Sequence, residues 1–283
     1  MSNITRIVLL GKTGVGKSSV ANTLFGEPLF KVGDSVNSET GKCQSVTKPV
    51  NGRNITLIDT PGFFDTDRSD KDLKSEILRS VTEFAPGPHV FLIVLRVERY
   101  TEQEQDVIAK MHQYFSDEFF KYASVLFTHG DQLSGGQTIE SFIRNNKLVN
   151  DLVAKCGGRC HVIDNKYWRN NQQDEYRNNQ VQVKKFLKTT DEMVYGNRGG
   201  CYTNEMLQEV ERRIIQEVQR LRQSERRMSE EEIKRKARNQ VLLGLGLGLA
   251  CVTAGVVLGG FFGIAASMRV IGQLLTAGVA LAV

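Results

Sequence analysis

The chain has 283 residues, 40% hydrophobic and 24% charged, with 5 prolines, 5 cysteines and a formal net charge of +5. This excludes a disordered, collagen-like or repetitive polymer and allows one medium domain with appendages, or two domains. Cys43, Cys156, Cys160, Cys201 and Cys251 form no even framework, and the start MSNITRIVLLG lacks a basic n-region and a cleavage site. Free thiols in a reducing compartment are therefore expected, and Cys156 with Cys160 is too small a set for zinc.

Charge is unevenly distributed. Residues 203–238 carry 10 basic and 8 acidic side chains, and residues 241–283 carry one charge, Arg269, and 9 of the 26 glycines. That leaves +2 on residues 1–202, a nearly neutral body that does not read as a nucleic-acid binder. Three segments follow: a globular body over 1–202, a charged amphipathic helical extension over 203–238, and a Gly-rich apolar tail over 239–283.

In chain order, the body alternates apolar runs with helical patterns. Strands are predicted at 7–10, 55–58, 90–95, 124–127 and 161–163, and helices at 18–24, 72–84, 102–114, 138–155 and 179–194. The pattern implies an α/β three-layer sandwich with a mostly parallel central sheet. Ligands on such folds bind at the carboxyl ends of the strands.

The first such end carries Gly11-Lys12-Thr13-Gly14-Val15-Gly16-Lys17-Ser18, a full GxxxxGK[ST] match followed by Ser19. It follows a strand and opens a helix, the context a phosphate-binding P-loop requires. Its glycines let backbone N–H groups converge on an anion, Lys17 supplies a charge to the β- and γ-phosphates, and the Ser18 hydroxyl can ligate Mg²⁺. The second end, Asp59-Thr60-Pro61-Gly62, offers a carboxylate for Mg²⁺ and a Gly62 N–H that can sense a γ-phosphate. The third, Phe127-Thr128-His129-Gly130-Asp131, corresponds to an [NT]KxD segment, whose aspartate accepts two N–H donors from guanine. His129 replaces the usual lysine, and its imidazole could stack on the base. A fourth, weakly specific element, Ile163-Asp164-Asn165, lies where a backbone N–H would cap the base.

With GKTGVGKSS, DTPGFFDT, GPHVFLIVLRVERYTEQEQ (87–105) and LFTHGDQL (126–133), the chain resembles the immunity-associated GTPases, also called the avrRpt2-induced-gene family, over about residues 5–200. The resemblance implies a P-loop GTPase of the paraseptin group that binds GTP or GDP with Mg²⁺, many of whose members have membrane-attaching C-terminal segments. A threonine before Asp59 should ligate Mg²⁺. Thr40 and Thr47 are candidates, and the family's SVTK segment, matched by Ser45–Lys48, selects Thr47. The arginine of the family's central box, implicated in acting across a face-to-face dimer, falls on Arg99; Arg96 and Arg68 are weaker contenders.

Gly62 is followed by Phe63 and Phe64, neither of which can orient an attacking water, so slow intrinsic hydrolysis is expected. Either a second copy supplies a cation and hydrolysis follows GTP-dependent dimerisation, or the protein is a GTP-dependent membrane scaffold with negligible hydrolysis. A P-loop ATPase or kinase is disfavoured by Asp131.

In the extension, Leu207, Val210, Ile214, Val218 and Leu221 form one apolar stripe, with Thr203 as the expected cap. Packing back on the nucleotide-binding domain is expected, with a coiled-coil dimer as the alternative. Ser229-Glu230-Glu231-Glu232 predicts a break near Met228. From Asn239 to Met268 there are 30 uncharged residues, with GxxxG spacing among Gly244, Gly248, Gly255, Gly259 and Gly263. A C-terminal membrane anchor is expected over 239–283, as a single span or hairpin. It would hold the body on the cytosolic face of an intracellular membrane.

Overall fold

A computed structural model describes residues 4–32, 43–63, 69–100, 102–168, 174–225, 227–264, 267 and 269–273. They belong to two compact units, one formed by Met1–Thr66 with Pro88–Tyr202, the other by Asp67–Gly87 with Thr203–Val283.

The first unit contains β1 (Ile4–Leu10), α1 (Lys17–Phe25), β2 (Gln44–Val50) and β3 (Arg53–Asp59). The next helix, α2 (Asp70–Phe84), belongs to the second unit. The first unit resumes with β4 (Val90–Arg96), α3 (Glu102–Tyr114), α4 (Asp117–Lys121), β5 (Ala123–Thr128), α5 (Ile139–Ile143), α6 (Lys147–Lys155), β6 (Cys160–Val162) and α7 (Asn179–Gly196). The sheet order is β2-β3-β1-β4-β5-β6, and every pairing is parallel except β2 with β3. Its β-branched and Leu-rich central strands are buried on both faces, as parallel strands covered by helices must be. On one face Ile7, Leu9, Leu92 and Leu126 pack with Val20 and Leu24 of α1 and Phe186 and Met193 of α7. On β4, Phe91 meets Phe119 of α4 with ring centroids 4.4 Å apart.

The elements differ in places from those predicted. The predicted helix 138–155 is two helices: α5 ends at Ile143 with Arg144 as its C-cap, and Asn146 caps α6 by accepting the Val149 N–H at 3.1 Å. Strand β2 escaped the sequence reading because its half-exposed and exposed residues alternate and it contains Pro49, tolerated here on a sheet edge.

The second unit joins α2 to α8 (Glu205–Ser224), α9 (Glu230–Gly248) and α10 (Ala254–Phe262). The cap of α8 is Asn204 rather than Thr203: its Oδ1 accepts the Leu207 N–H at 3.0 Å, while its Nδ2 donates to the carbonyls of Gly260 and Phe261. The predicted stripe of α8 faces inward, and Leu221 packs with Ile233 and Ala237 of α9, joined by the half-buried Val218. The break near Met228 is present, closed by a capping box in which Ser229 and Glu232 satisfy each other's backbone N–H groups.

The apolar tail is divided. α9 ends at Gly248, α10 starts at Ala254, and Gly263 closes α10 in the left-handed conformation. Among the described residues, no helix is long and apolar enough to cross a membrane. Val257, Phe261 and Phe262 are fully buried, with the Phe261 ring 5.2 Å from that of Phe84 on α2. α2 also satisfies the tail's orphan backbone groups. Lys74 Nζ donates to the carbonyls of Leu249, Ala250 and Val252 at 3.0–3.3 Å, and Asp70 accepts the Ala254 N–H at 3.0 Å. Phe261→Ala is therefore expected to lower stability by about 3–5 kcal/mol in detergent-free urea unfolding, the cost of emptying a buried aromatic site. An unchanged unfolding midpoint would contradict this packing.

Candidate functional site

The parallel register brings the carboxyl ends of β1, β3, β4 and β5 to one edge of the sheet, with Leu9 opposite Asp59 and Arg96 opposite Thr128. The P-loop rises from this edge. Gly11 (φ 154°) cannot carry a side chain, since a Cβ there would lie 2.5 Å from the Val94 carbonyl oxygen. Gly16 caps α1 at φ 91° without a side-chain hydrogen bond, whereas α2 and α4–α10 each receive one from a Ser, Thr or Asn. With no side chain capping it, the positive end of α1 is suited to an anion.

Lys17 is buried, and its Nζ donates to the carbonyls of Gly11 and Lys12, both at 3.0 Å. Ser18 Oγ donates to Asp59 Oδ2 at 2.5 Å. Asp59 is fully buried, and among the described residues its Oδ1 has no hydrogen-bond partner. Burial raises its carboxyl above the ordinary range, opposed by the Lys17 ammonium and the Ser18 hydroxyl. A hydroxyl beside a buried carboxylate with an unused oxygen fits a hard divalent cation such as Mg²⁺, which needs few protein ligands when phosphates and waters complete its shell. Thr60 fixes this strand end by donating to the Leu9 carbonyl at 2.6 Å.

Thr47 is not brought to this pair. It sits in the middle of β2 opposite Thr56, with the two hydroxyls 2.7 Å apart, three residues along β3 from Asp59. At ~3.3 Å per residue that is about 10 Å away. The sequence match placed Thr47 by its position in the chain, whereas strand pairing turns its side chain onto an exposed sheet edge. Thr40, Phe64 and Arg68 lie outside the described residues.

The loop after β5 is tied to the P-loop. Thr128 Oγ1 donates to the Val15 carbonyl at 2.8 Å, and Asn165 Oδ1 accepts from Thr23 of α1 at 3.0 Å. His129 stands in the left-handed conformation (φ 58°), its Nδ1 2.9 Å from Thr128 Oγ1. Burial and then Arg96 lower its pKa, so it is neutral near pH 7. The turn Gly130–Gln132 places Asp131 at the loop end. One feature of this loop was not read from sequence. Trp168 is buried beneath Gly130, where a Cβ would meet its ring at 2.5 Å. Trp168 is the chain's one tryptophan, which was the available signal.

A cavity of about 150 Å³ lies between Lys12–Val15 and the loop after β4, which contributes Arg96, Glu98 and Tyr100. Glu98 pairs with Arg96 at 3.6 Å rather than with Arg99. Arg99 is exposed and has no hydrogen bond or ion pair among the described residues. Phe63, directly after Gly62, is buried and presents no group to a water.

Residues 5–222 match the AIG1 family. Immune-associated nucleotide-binding protein 7 of Arabidopsis thaliana is 31% identical over 247 residues, 84% of this chain and 76% of that protein. GTPase IMAP family member 8 of Mus musculus is 29% identical over 195 residues; these are 67% of this chain but 27% of the mouse protein. Among solved structures, Toc33 from Arabidopsis thaliana in complex with Mg²⁺ and GMPPNP has a TM-score of 0.54 at 22% identity, covering 70% of this chain and 87% of that one. A dimerization-deficient arginine-to-alanine mutant of Toc33 has a TM-score of 0.53 at 24% identity, covering 69% and 86%. The fold is that of a P-loop GTPase, and the chain is a member of the AIG1 family.

Proposed function

We propose that this protein binds GTP and GDP with Mg²⁺ and hydrolyses GTP slowly alone, faster when two copies meet through their nucleotide faces. The observation that carries the reading is the meeting of Lys17, the Ser18–Asp59 pair and Asp131 at one sheet edge. Lys17 and the first N–H groups of α1 hold the phosphates, and Asp131 accepts from the guanine edge. Ser18 and Asp59 would hold Mg²⁺, which would supply positive charge against that developing on the phosphates. The complexes of Toc33 with Mg²⁺ and GMPPNP lend support by analogy of fold.

Slow turnover follows from Phe63, which cannot orient water. The exposed Arg99, on the same edge as the P-loop, is the cation a second copy would receive. Such an arginine is worth ~10³–10⁵ in rate where it acts. The dimerization-deficient arginine mutant of Toc33 motivates the assignment. The GTP turnover rate per molecule is expected to rise with protein concentration, and Arg99→Ala should abolish that rise while leaving GDP affinity intact. A low, concentration-independent rate would instead favour the scaffold reading, in which GTP controls assembly without appreciable hydrolysis.

We propose further a division into a nucleotide-binding domain over 1–202, a helical extension over 203–238 and a membrane-attaching tail over 239–283. It would attach the protein to the cytosolic face of an intracellular membrane. Support comes from the uncharged stretch, from Leu243 and Leu247, 70% and 81% exposed on α9, and from the preceding Lys234, Arg235, Lys236 and Arg238. The protein should float with anionic vesicles, and Leu243→Glu with Leu247→Glu should weaken flotation. Complete recovery in the unbound fraction would refute the attachment.

A further inference from the structure

Gly130 immediately precedes Asp131, and its own backbone does not call for glycine. It opens the short turn Gly130–Gln132 outside the left-handed region, in a conformation that any residue adopts. What excludes a side chain there is the indole of Trp168. A Cβ on Gly130 would lie 2.5, 2.7 and 2.9 Å from Cη2, Cζ2 and Cζ3, the far end of that ring. The ring therefore occupies the place that a side chain at position 130 would take.

Both partners in this contact are held. Trp168 is 3% exposed, its carbonyl accepts the Asn179 N–H at 2.9 Å, and its ring lies 6.2 Å from that of Tyr176, steeply inclined to it. Tyr176 is fixed in turn, its hydroxyl accepting the Ile139 N–H at 2.7 Å. On the other side, Gly130 donates its N–H to the Ile163 carbonyl and accepts the Leu133 N–H, both at 3.1 Å. Asp131 thus stands on a turn clamped by main-chain hydrogen bonds and backed by a buried ring. Its carboxylate accepts from Gln132 Nε2 at 2.6 Å, a contact between neighbours that moves with the turn and cannot place it.

We infer that Trp168 is a positioning residue for base selection: its ring sets where Gly130 lies, and so the point from which Asp131 meets both N–H donors of the guanine edge. The inference rests on the guanine reading proposed above. A carboxylate accepts two parallel N–H groups only over a narrow range of distance and angle, so a small displacement of the turn weakens the paired arrangement. Hypoxanthine keeps the ring N–H of guanine and lacks its exocyclic amine. The ratio of GDP to IDP affinity therefore reads the second hydrogen bond, and any loss of folded protein cancels from it.

Displacement of a fluorescent GDP analogue measures that ratio. The wild type should bind GDP about tenfold or more tighter than IDP. Trp168→Phe keeps a buried ring but removes the end that meets Gly130, and should bring the two affinities close to parity. Gly130→Ala, which leaves the indole whole and drives the turn off it, should do the same. Combining the two places the added methyl in the vacated space, and the double variant should regain most of the wild-type ratio. An unchanged ratio in either single variant, or a double variant no better than the singles, would overturn the role of Trp168 while leaving guanine selectivity standing. Equal affinity of the wild type for GDP and IDP would overturn it too, since there would be no second bond to place. Equal affinity of the wild type for GDP and ADP would instead remove the guanine reading, and this inference with it.

Discussion

A lysine buried inside its own loop sets the terms for the nucleotide site. Lys17 leaves water to lie against the carbonyls of Gly11 and Lys12, which solvate its ammonium but carry no formal charge. The positive end of α1 opens at the same place, capped by a glycine rather than by a hydroxyl or amide. Both features favour an anion over water. Asp59, drawn upward by burial and left with an unused oxygen, makes the complementary demand for a cation. A phosphate chain carrying a divalent metal answers both, and the remaining strand ends are arranged around that position.

Local signals made the candidate site readable from sequence. The P-loop is a contiguous run whose backbone needs specify its residues, and Asp59 and Asp131 stand directly after apolar strands. The break before α9 was equally legible because Ser229 and Glu232 form a capping box within four residues. What escaped depends on partners far away in the chain. Trp168 matters because it underlies Gly130, 38 positions earlier in the chain. Thr47 illustrates the reverse case: its neighbours in sequence suggested a ligand, but pairing with Thr56 sets it on the sheet edge.

The apolar tail shows why hydropathy alone could not assign its environment. A run without charge reads the same whether it meets lipid or a protein interior. In α10 the interior is supplied largely by α2, whose Phe84 stacks near Phe261 and whose Asp70 and Lys74 cap the chain around Ala254. Those partners lie about 180 residues earlier. The exposed half of α9 is different, since Leu243 and Leu247 find no such cover among the described residues. One uncharged stretch thus contains a core helix and an apolar surface. In chain order, α2 follows the Asp59–Gly62 loop, so the sequence joins the candidate metal-binding strand end directly to the helix that holds α10.

Calorimetry of the full chain in magnesium buffer tests the central claim most directly, with GDP, GTP, ADP and ATP titrated in turn. The account predicts saturable binding of the two guanine nucleotides, weak or no binding of the adenine nucleotides, and loss of guanine-nucleotide binding in Lys17→Ala. Absence of heat with either guanine nucleotide, or unaltered affinity in Lys17→Ala, would contradict it.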